Sequence, residues 1–197
     1  KNRDSKVEKK LKSEGIDFES FKDQVIFESG EIQTNDGTFY KVFTPYKNSW
    51  LKKLDSVEDA ISQRPVNMSK LAYKQIKGLS KNITLEELGF EEAENSKKRD
   101  VNPKATFKSF LKRIDKYHEE RDFPALDSTS HLSVYLRFGN ISIRELVREI
   151  QPLNSEGKKV WLSELVWRDF YSGFLDTHND VETQSYKYPD VEWENDP

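Results

Sequence analysis

The chain has 197 residues, 35% hydrophobic, 34% charged and 12% aromatic, with no cysteine. That aromatic content excludes a disordered chain, and the missing cysteine excludes disulfides and thiolate metal sites, as suits a reducing cytoplasm. The formal net charge of −3 gives no global pull toward nucleic acid, so a DNA contact needs a local basic surface.

Lys1-Asn2-Arg3-Asp4 leads into a charged segment with no apolar signal core, and no 18-residue apolar run follows anywhere, so a soluble protein is expected. Ser5-Lys6-Val7-Glu8 has the form of a capping box, Val7 and Leu11 share a face, and Gly15 ends the predicted helix. Ile16 and Phe18 alternate with charged residues as in a half-buried strand. Asp36-Gly37 is a turn dipeptide ahead of Thr38-Phe39-Tyr40-Lys41-Val42-Phe43. Residues 1–45 therefore read as a helix, a strand and a turn-rich loop, too little to close a core alone. They suit the last piece of an α/β domain.

Thr44-Pro45-Tyr46 opens a predicted helix carrying Trp50, Leu51 and Leu54. From Asp55 to about Val101 the chain is polar, as in a connector between domains. Its one clear short element is a capped turn, Thr84-Leu85-Glu86-Glu87-Leu88-Gly89. After Asn102-Pro103, a cap followed by proline at the first helical position, the pattern is purely helical. Phe107, Phe110, Leu111, Ile114 and Tyr117 form an apolar stripe, while Lys104, Lys108, Lys112, Arg113 and Lys116 cover much of the remaining surface. Arg121 to Ser130 is a loop broken by Pro124, and Leu132 to Phe138 a short helix ended by Gly139. Ser142-Ile143-Arg144-Glu145 has the form of a capping box opening a helix to Ile150. A long helix is predicted from about Lys158 to Asp176, and the tail from Tyr186, with Trp193, has no helical spacing.

Two stretches could carry chemistry. Thr129-Ser130-His131-Leu132-Ser133 sets three hydroxyls at the entry to a helix, beside first-turn amides, a donor set suited to a phosphate and equally to ordinary capping. In the long helix, Trp161, Glu164, Arg168 and Tyr171 fall at i, i+3, i+7 and i+10 and share a face. With Trp167 they could hold a planar aromatic ligand; a core helix bearing a surface Glu164–Arg168 pair has the same periodicity. His118, His131 and His178 have no metal-ligand spacing, and no glycine-rich nucleotide loop occurs.

The ordered series of blocks resembles the DNA photolyase/cryptochrome family. Its members are Arg3-Asp4 and the helix after it, Val42-Phe43-Thr44-Pro45-Tyr46-Lys47-Asn48-Ser49-Trp50, Thr84 to Gly89, Tyr117 with Arg121 to Leu126, Thr129 to Ser133, and Trp161 to Tyr171. The Phe-Thr-Pro-Tyr-Lys-Asn-Ser-Trp run is most similar to the bacterial folate-antenna branch that repairs cyclobutane pyrimidine dimers (CPD). The resemblance implies an α/β fragment, the end of a Rossmann-like antenna domain over residues 1–50, and an interdomain linker over 51–102. Residues 103–197 would be the first half of a mostly α-helical FAD-binding domain. It implies FAD contacts at Tyr117, Thr129, Ser130, His131, Leu132, Ser133, Trp161, Glu164 and Arg168, with Thr129, Ser130, Leu132 and Ser133 at the phosphates. It also implies that Glu164 and Trp167 contact a flipped-out pyrimidine dimer and serve its repair.

The implied protein is a cytoplasmic monomer acting on UV-damaged DNA without a membrane partner, with FAD and a methenyltetrahydrofolate-type antenna as its candidate chromophores. The alternatives are a cryptochrome-type blue-light receptor and a non-catalytic helical fragment. Ser128 stands where the family usually has glycine, and Val134 where proline is common. The family's later blocks and its first strands have no counterpart here, so the expectation is a middle portion of a longer protein. Such a portion should bind FAD weakly or not at all by itself.

Overall fold

The computed structural model describes residues 2–57, 59–62, 83–91, 102–188 and 190. Most of the expected linker, and Trp193 of the tail, lie outside the described residues. The helices are α1 (Asn2–Ser13), α2 (Phe43–Ser56), α3 (Pro103–Leu111), α4 (Tyr117–Glu120), α5 (Ser133–Arg137), α6 (Ile143–Ile150) and α7 (Glu156–Thr177), with 3-10 turns at Ile114–Lys116 and Asn179–Glu182. The chain divides into two compact units, one of residues 1–60 and 163–197, the other of residues 61–162.

In the first unit, α1 begins at Asn2, so Ser5 lies inside the helix and caps nothing. Glu8, expected to reach back to it, instead pairs forward with Lys12 at 2.7 Å. The helix stops as expected at Gly15, whose φ is +71°. The amides of Gly15 and Ile16 bond back to the carbonyls of Lys12 and Leu11, so the last carbonyls are satisfied by a left-handed cap. The strand expected around Ile16 and Phe18, and with it the α/β character of residues 1–50, has no counterpart among the described residues. The nearest approach is an isolated antiparallel bridge between Gln33 and Phe39, across the turn at Asp36-Gly37. Alternation makes a strand only where a neighbour completes the ladder. Here Ile16 faces solvent, and Phe39 is drawn into a ring cluster with Tyr46 (5.5 Å between centroids) and Phe170 (5.7 Å). The core of this unit joins that cluster to Ile26, Phe27, Trp50, Leu165 and Val166.

The second unit starts with α3. Asn102 caps it, its side-chain oxygen accepting from the Ala105 amide at 3.1 Å, and Pro103 opens the helix. Of the predicted stripe, Phe107, Phe110, Ile114 and Tyr117 are buried, although the helix tightens after Leu111 into the 3-10 turn and α4. The Thr84–Glu87 capping box is formed in both directions, at 3.3 and 3.2 Å. The one expected at Ser142 is not. Ser142 holds the extended cap backbone with no side-chain bond, and Glu145 pairs with Lys104 at 2.9 Å. Ile143, Leu146, Val147 and Ile150 of α6 complete the core with Trp161 and Leu162.

The start of α7 has a sequence cause. Ser155 accepts from the Lys158 amide, and Gly157 lets the helix press on the Ile114–Lys116 turn. A Cβ on Gly157 would collide with the Ile114 carbonyl oxygen and stand 2.8 Å from that of Asp115, both backbone atoms. Alanine gains about 1 kcal/mol of helix propensity over glycine, whereas overpacking a close contact costs roughly 1–3 kcal/mol. Gly157→Ala is therefore expected to lower the unfolding free energy by a net amount of up to about 2 kcal/mol, read as a lower urea midpoint; a higher midpoint would contradict the close approach.

Candidate functional site

In the second unit, the Thr129–Ser133 segment turns sharply at His131, whose φ of +54° lies in the left-handed region that non-glycine residues rarely occupy. The turn brings the imidazole back to Asp127, with Nε2 2.6 Å from Oδ1. Arg113 donates to the Thr129 carbonyl at 3.2 Å and stands 3.6 Å from Asp127 Oδ2. The hydrogen bond from His131, and then the Arg113 charge, hold the Asp127 carboxyl below its usual range. Ser128 is buried and donates to Glu120 at 2.6 Å. The hydroxyls of Thr129, Ser130 and Ser133 have no protein partner among the described residues, and Leu132 is buried beneath them as the anchor of the segment. Free hydroxyl donors beside a guanidinium whose nearest carboxylate is already paired fit a phosphate group.

Tyr117 sits edge-on to Phe110 at 5.7 Å, with the Arg121 guanidinium 5.5 Å from its ring. Trp161 is 3% exposed and packs on Phe107 and Phe110, with centroids 5.7 and 5.2 Å away. In the resting chain its indole is a wall of the core rather than an open platform.

In the first unit, Glu164, Trp167 and Arg168 of α7 are half-buried. Trp167 stacks on Phe43 with centroids 3.5 Å apart and planes 6° from parallel, and on Tyr171 at 5.3 Å. Lys47 lies over the Phe43 ring at 5.8 Å. Arg168 donates to the Gln24 carbonyl. The four-residue face expected from Trp161 to Tyr171 is thus divided: a buried indole, a half-buried carboxylate and guanidinium, and an exposed tyrosine.

Sequence reasoning missed Asp169. It is 1% exposed, and its Oδ2 accepts from the Ile26 amide (3.0 Å), the Phe27 amide (3.2 Å) and Trp50 Nε1 (3.0 Å). Its Oδ1 is buried without a hydrogen-bond partner among the described residues. Burial pushes its pKa up to about 6, against the pull of Trp50, of the two amides and of Arg168. A carboxylate inside the aromatic run Trp167-Arg168-Asp169-Phe170-Tyr171 was the available signal, because its neighbours at i+1 and i−4 are core positions. No group of His, Asp and Glu suited to a metal ion occurs among the described residues.

A family model described as DNA photolyase matches residues 1–66. The chain is 33% identical over 186 residues to the deoxyribodipyrimidine photo-lyase of Vibrio cholerae, covering 86% of this chain and 37% of that protein. It is 34% identical over 181 residues to that of Salmonella typhimurium, covering 87% and 37%. The chain belongs to the DNA photolyase family. It spans 37% of the length of these two relatives. A bacterial class III photolyase from Agrobacterium tumefaciens, 20% identical, superposes with a TM-score of 0.74 over 99% of this chain and 42% of its own. The fold of this chain is therefore the family's, mostly helical among the described residues, none of whose helices is long and apolar enough to cross a membrane.

The raised pKa of Asp169 has a signed consequence. The folded chain keeps its proton up to about pH 6 and the unfolded chain releases it near the ordinary aspartate value of 3.8, so raising the pH between those values works against the fold. The unfolding free energy of the native chain relative to Asp169→Asn, which cannot titrate, is expected to fall from pH 4 to pH 6 and then level off. Denaturant midpoints for both proteins across that range check it; a difference that rises with pH would reverse the sign.

Proposed function

We propose that this chain is part of a light-dependent DNA repair enzyme that splits cyclobutane pyrimidine dimers with FAD. The observation that carries the reading is the pairing of Glu164 with Trp167 on α7, in a chain whose curated relatives are named deoxyribodipyrimidine photo-lyases. Three residues apart on a helix, the two side chains emerge on one face. There the carboxylate can accept from a pyrimidine N–H while the indole edge packs on the saturated ring. Trp167 is held at Phe43 and Tyr171, so the contact surface is pre-formed and little side-chain entropy is lost on binding. A lesion reaches such a contact only out of the base stack, and a damaged, poorly stacked pair makes that extrusion cheaper.

The cofactor assignment rests on the donor set at Thr129, Ser130 and Ser133, which fits a phosphate, together with the Leu132 amide. His131 balances Asp127 beside them, and Tyr117 and Trp161 are the proposed aromatic contacts of that unit. Glu164 and Arg168 are assigned to the flavin on the family resemblance alone. When bound, reduced FAD supplies the electron that opens the dimer on illumination. The protein's share is to hold the phosphates, orient the dimer and keep Trp167 fixed. A methenyltetrahydrofolate-type folate is the candidate antenna. The division into antenna domain, linker and flavin domain at residues 1–50, 51–102 and 103–197 belongs to the same proposal.

With the full-length protein and dimer-containing DNA under blue light, thymine absorbance in the ultraviolet is expected to return. No return would assign the site to a cryptochrome-type receptor. Trp167→Ala should weaken dimer binding by roughly 1–3 kcal/mol, about tenfold for each 1.4 kcal/mol, as for loss of a base–aromatic contact. Trp161→Ala and Arg168→Ala in the same protein are expected to lower the flavin retained on purification, read from its visible absorbance. Full retention in both would favour a helical domain without catalytic function.

A further inference from the structure

Between Lys104 and Lys116 the chain carries five cations, Lys104, Lys108, Lys112, Arg113 and Lys116, against one acid, Asp115, although the whole chain has 32 Lys and Arg against 35 Asp and Glu. The first three lysines repeat every four residues along α3 and its C-terminal cap, so they lie in one row with steps of roughly 6 Å along the axis. Lys116 continues the spacing in the following 3-10 turn. All four are exposed, and Lys104 is paired with Glu145. Lys108, Lys112 and Lys116 have no ion-pair partner among the described residues. Arg113 turns inward to Thr129 and Asp127 and is not part of the row.

We infer that the Lys104–Lys116 row is a DNA backbone contact, engaging phosphates without regard to lesion or sequence. A small anion would be held by donors that converge, and these do not; they follow a line, as a linear polyanion requires. A membrane surface is the poorer match. A helix lying on lipid must offer an apolar face beside its cations, and the apolar face of α3, Phe107 and Phe110, is spent on the core. The choice of DNA among linear polyanions rests on the repair reading. The row also supplies what a chain of net charge −3 otherwise lacks, a local positive strip.

The test is binding of the full-length protein to an undamaged duplex, by fluorescence anisotropy at salt concentrations from about 50 to 200 mM, for the native protein, a Lys108→Gln, Lys112→Gln, Lys116→Gln triple variant and the corresponding triple arginine variant. Each phosphate contact contributes about −0.9 to the slope of log affinity against log salt, so the glutamine variant is expected to show a slope shallower by about 2–3. The arginine variant should keep the native slope, and dimer turnover at saturating DNA should be unchanged in both. A native slope in the glutamine variant overturns the inference. The same unchanged slope, with lost binding to anionic phospholipid vesicles, would reassign the row to a membrane surface. Turnover separates the two readings: a protein that repairs nothing and still shows the slope change keeps the DNA contact and loses the repair reading.

Discussion

One carboxylate oxygen holds the first unit together. Asp169 Oδ2 receives two consecutive backbone amides from residues 26 and 27 and the indole N–H of Trp50, so a strap, α2 and α7 converge on a single atom. A buried carboxylate without such donors would cost several kcal/mol, and hydrogen bonds to a charged acceptor return roughly 1.5–3 kcal/mol each. The arrangement is therefore stabilising only as a set. Removing one donor leaves a buried charge under-satisfied, and the partnerless Oδ1 shows that no donor is to spare. The ring cluster of Phe39, Tyr46 and Phe170 and the edge contact of Phe27 with Trp50 at 5.4 Å pack around this point.

The proposed substrate residues inherit their position from that set. Arg168, next to Asp169, bonds the carbonyl of Gln24, so adjacent residues of α7 grip the same strap through opposite polarities. Trp167 precedes them and stacks on Phe43, the first residue of α2, whose orientation Trp50 and Asp169 maintain two helical turns further along. Further along the strap, Glu31 takes Lys22 at 2.8 Å and the Glu28 amide at 3.0 Å, and Ser29 bonds Asp176 at 2.6 Å. A segment with no regular secondary structure is thereby ordered through side chains on two helices.

What could be read from the sequence was what local interactions decide. The cap at Asn102, the Thr84–Glu87 box, the left-handed stops at Gly15 and Gly139 and the helical stripe from Phe107 to Tyr117 involve neighbours within a few turns, and all are present. Ser5 and Ser142 show the limit of the same rule, because a better ionic partner, Lys12 for Glu8 and Lys104 for Glu145, takes the residue that should close the box. The strand at Ile16–Phe18 failed because alternation describes one chain and a ladder needs two. The aromatic run around Asp169 hinted at a buried acid, but its donors were illegible because they lie 119 to 143 residues away, at positions that carry no charge of their own. Gly173, inside the predicted long helix, was an unread signal of close approach.

Gly173 extends the significance of that last point. It lies four residues after Asp169, on the same side of α7, and the edge of the Phe39 ring would stand 2.5 Å from a Cβ placed there. The carboxylate and the gap for the ring are thus phased by a single turn of helix. Any insertion or deletion between them would rotate one by about 100° per residue and present a side chain to Phe39 while the acid still faced Trp50. Phe170 is fixed by the ring cluster and the exposed Tyr171 and Ser172 can exchange chemistry, but none of the three can change in number, so divergence in this stretch should proceed by substitution at constant length. Changes of chain length should collect in the loops.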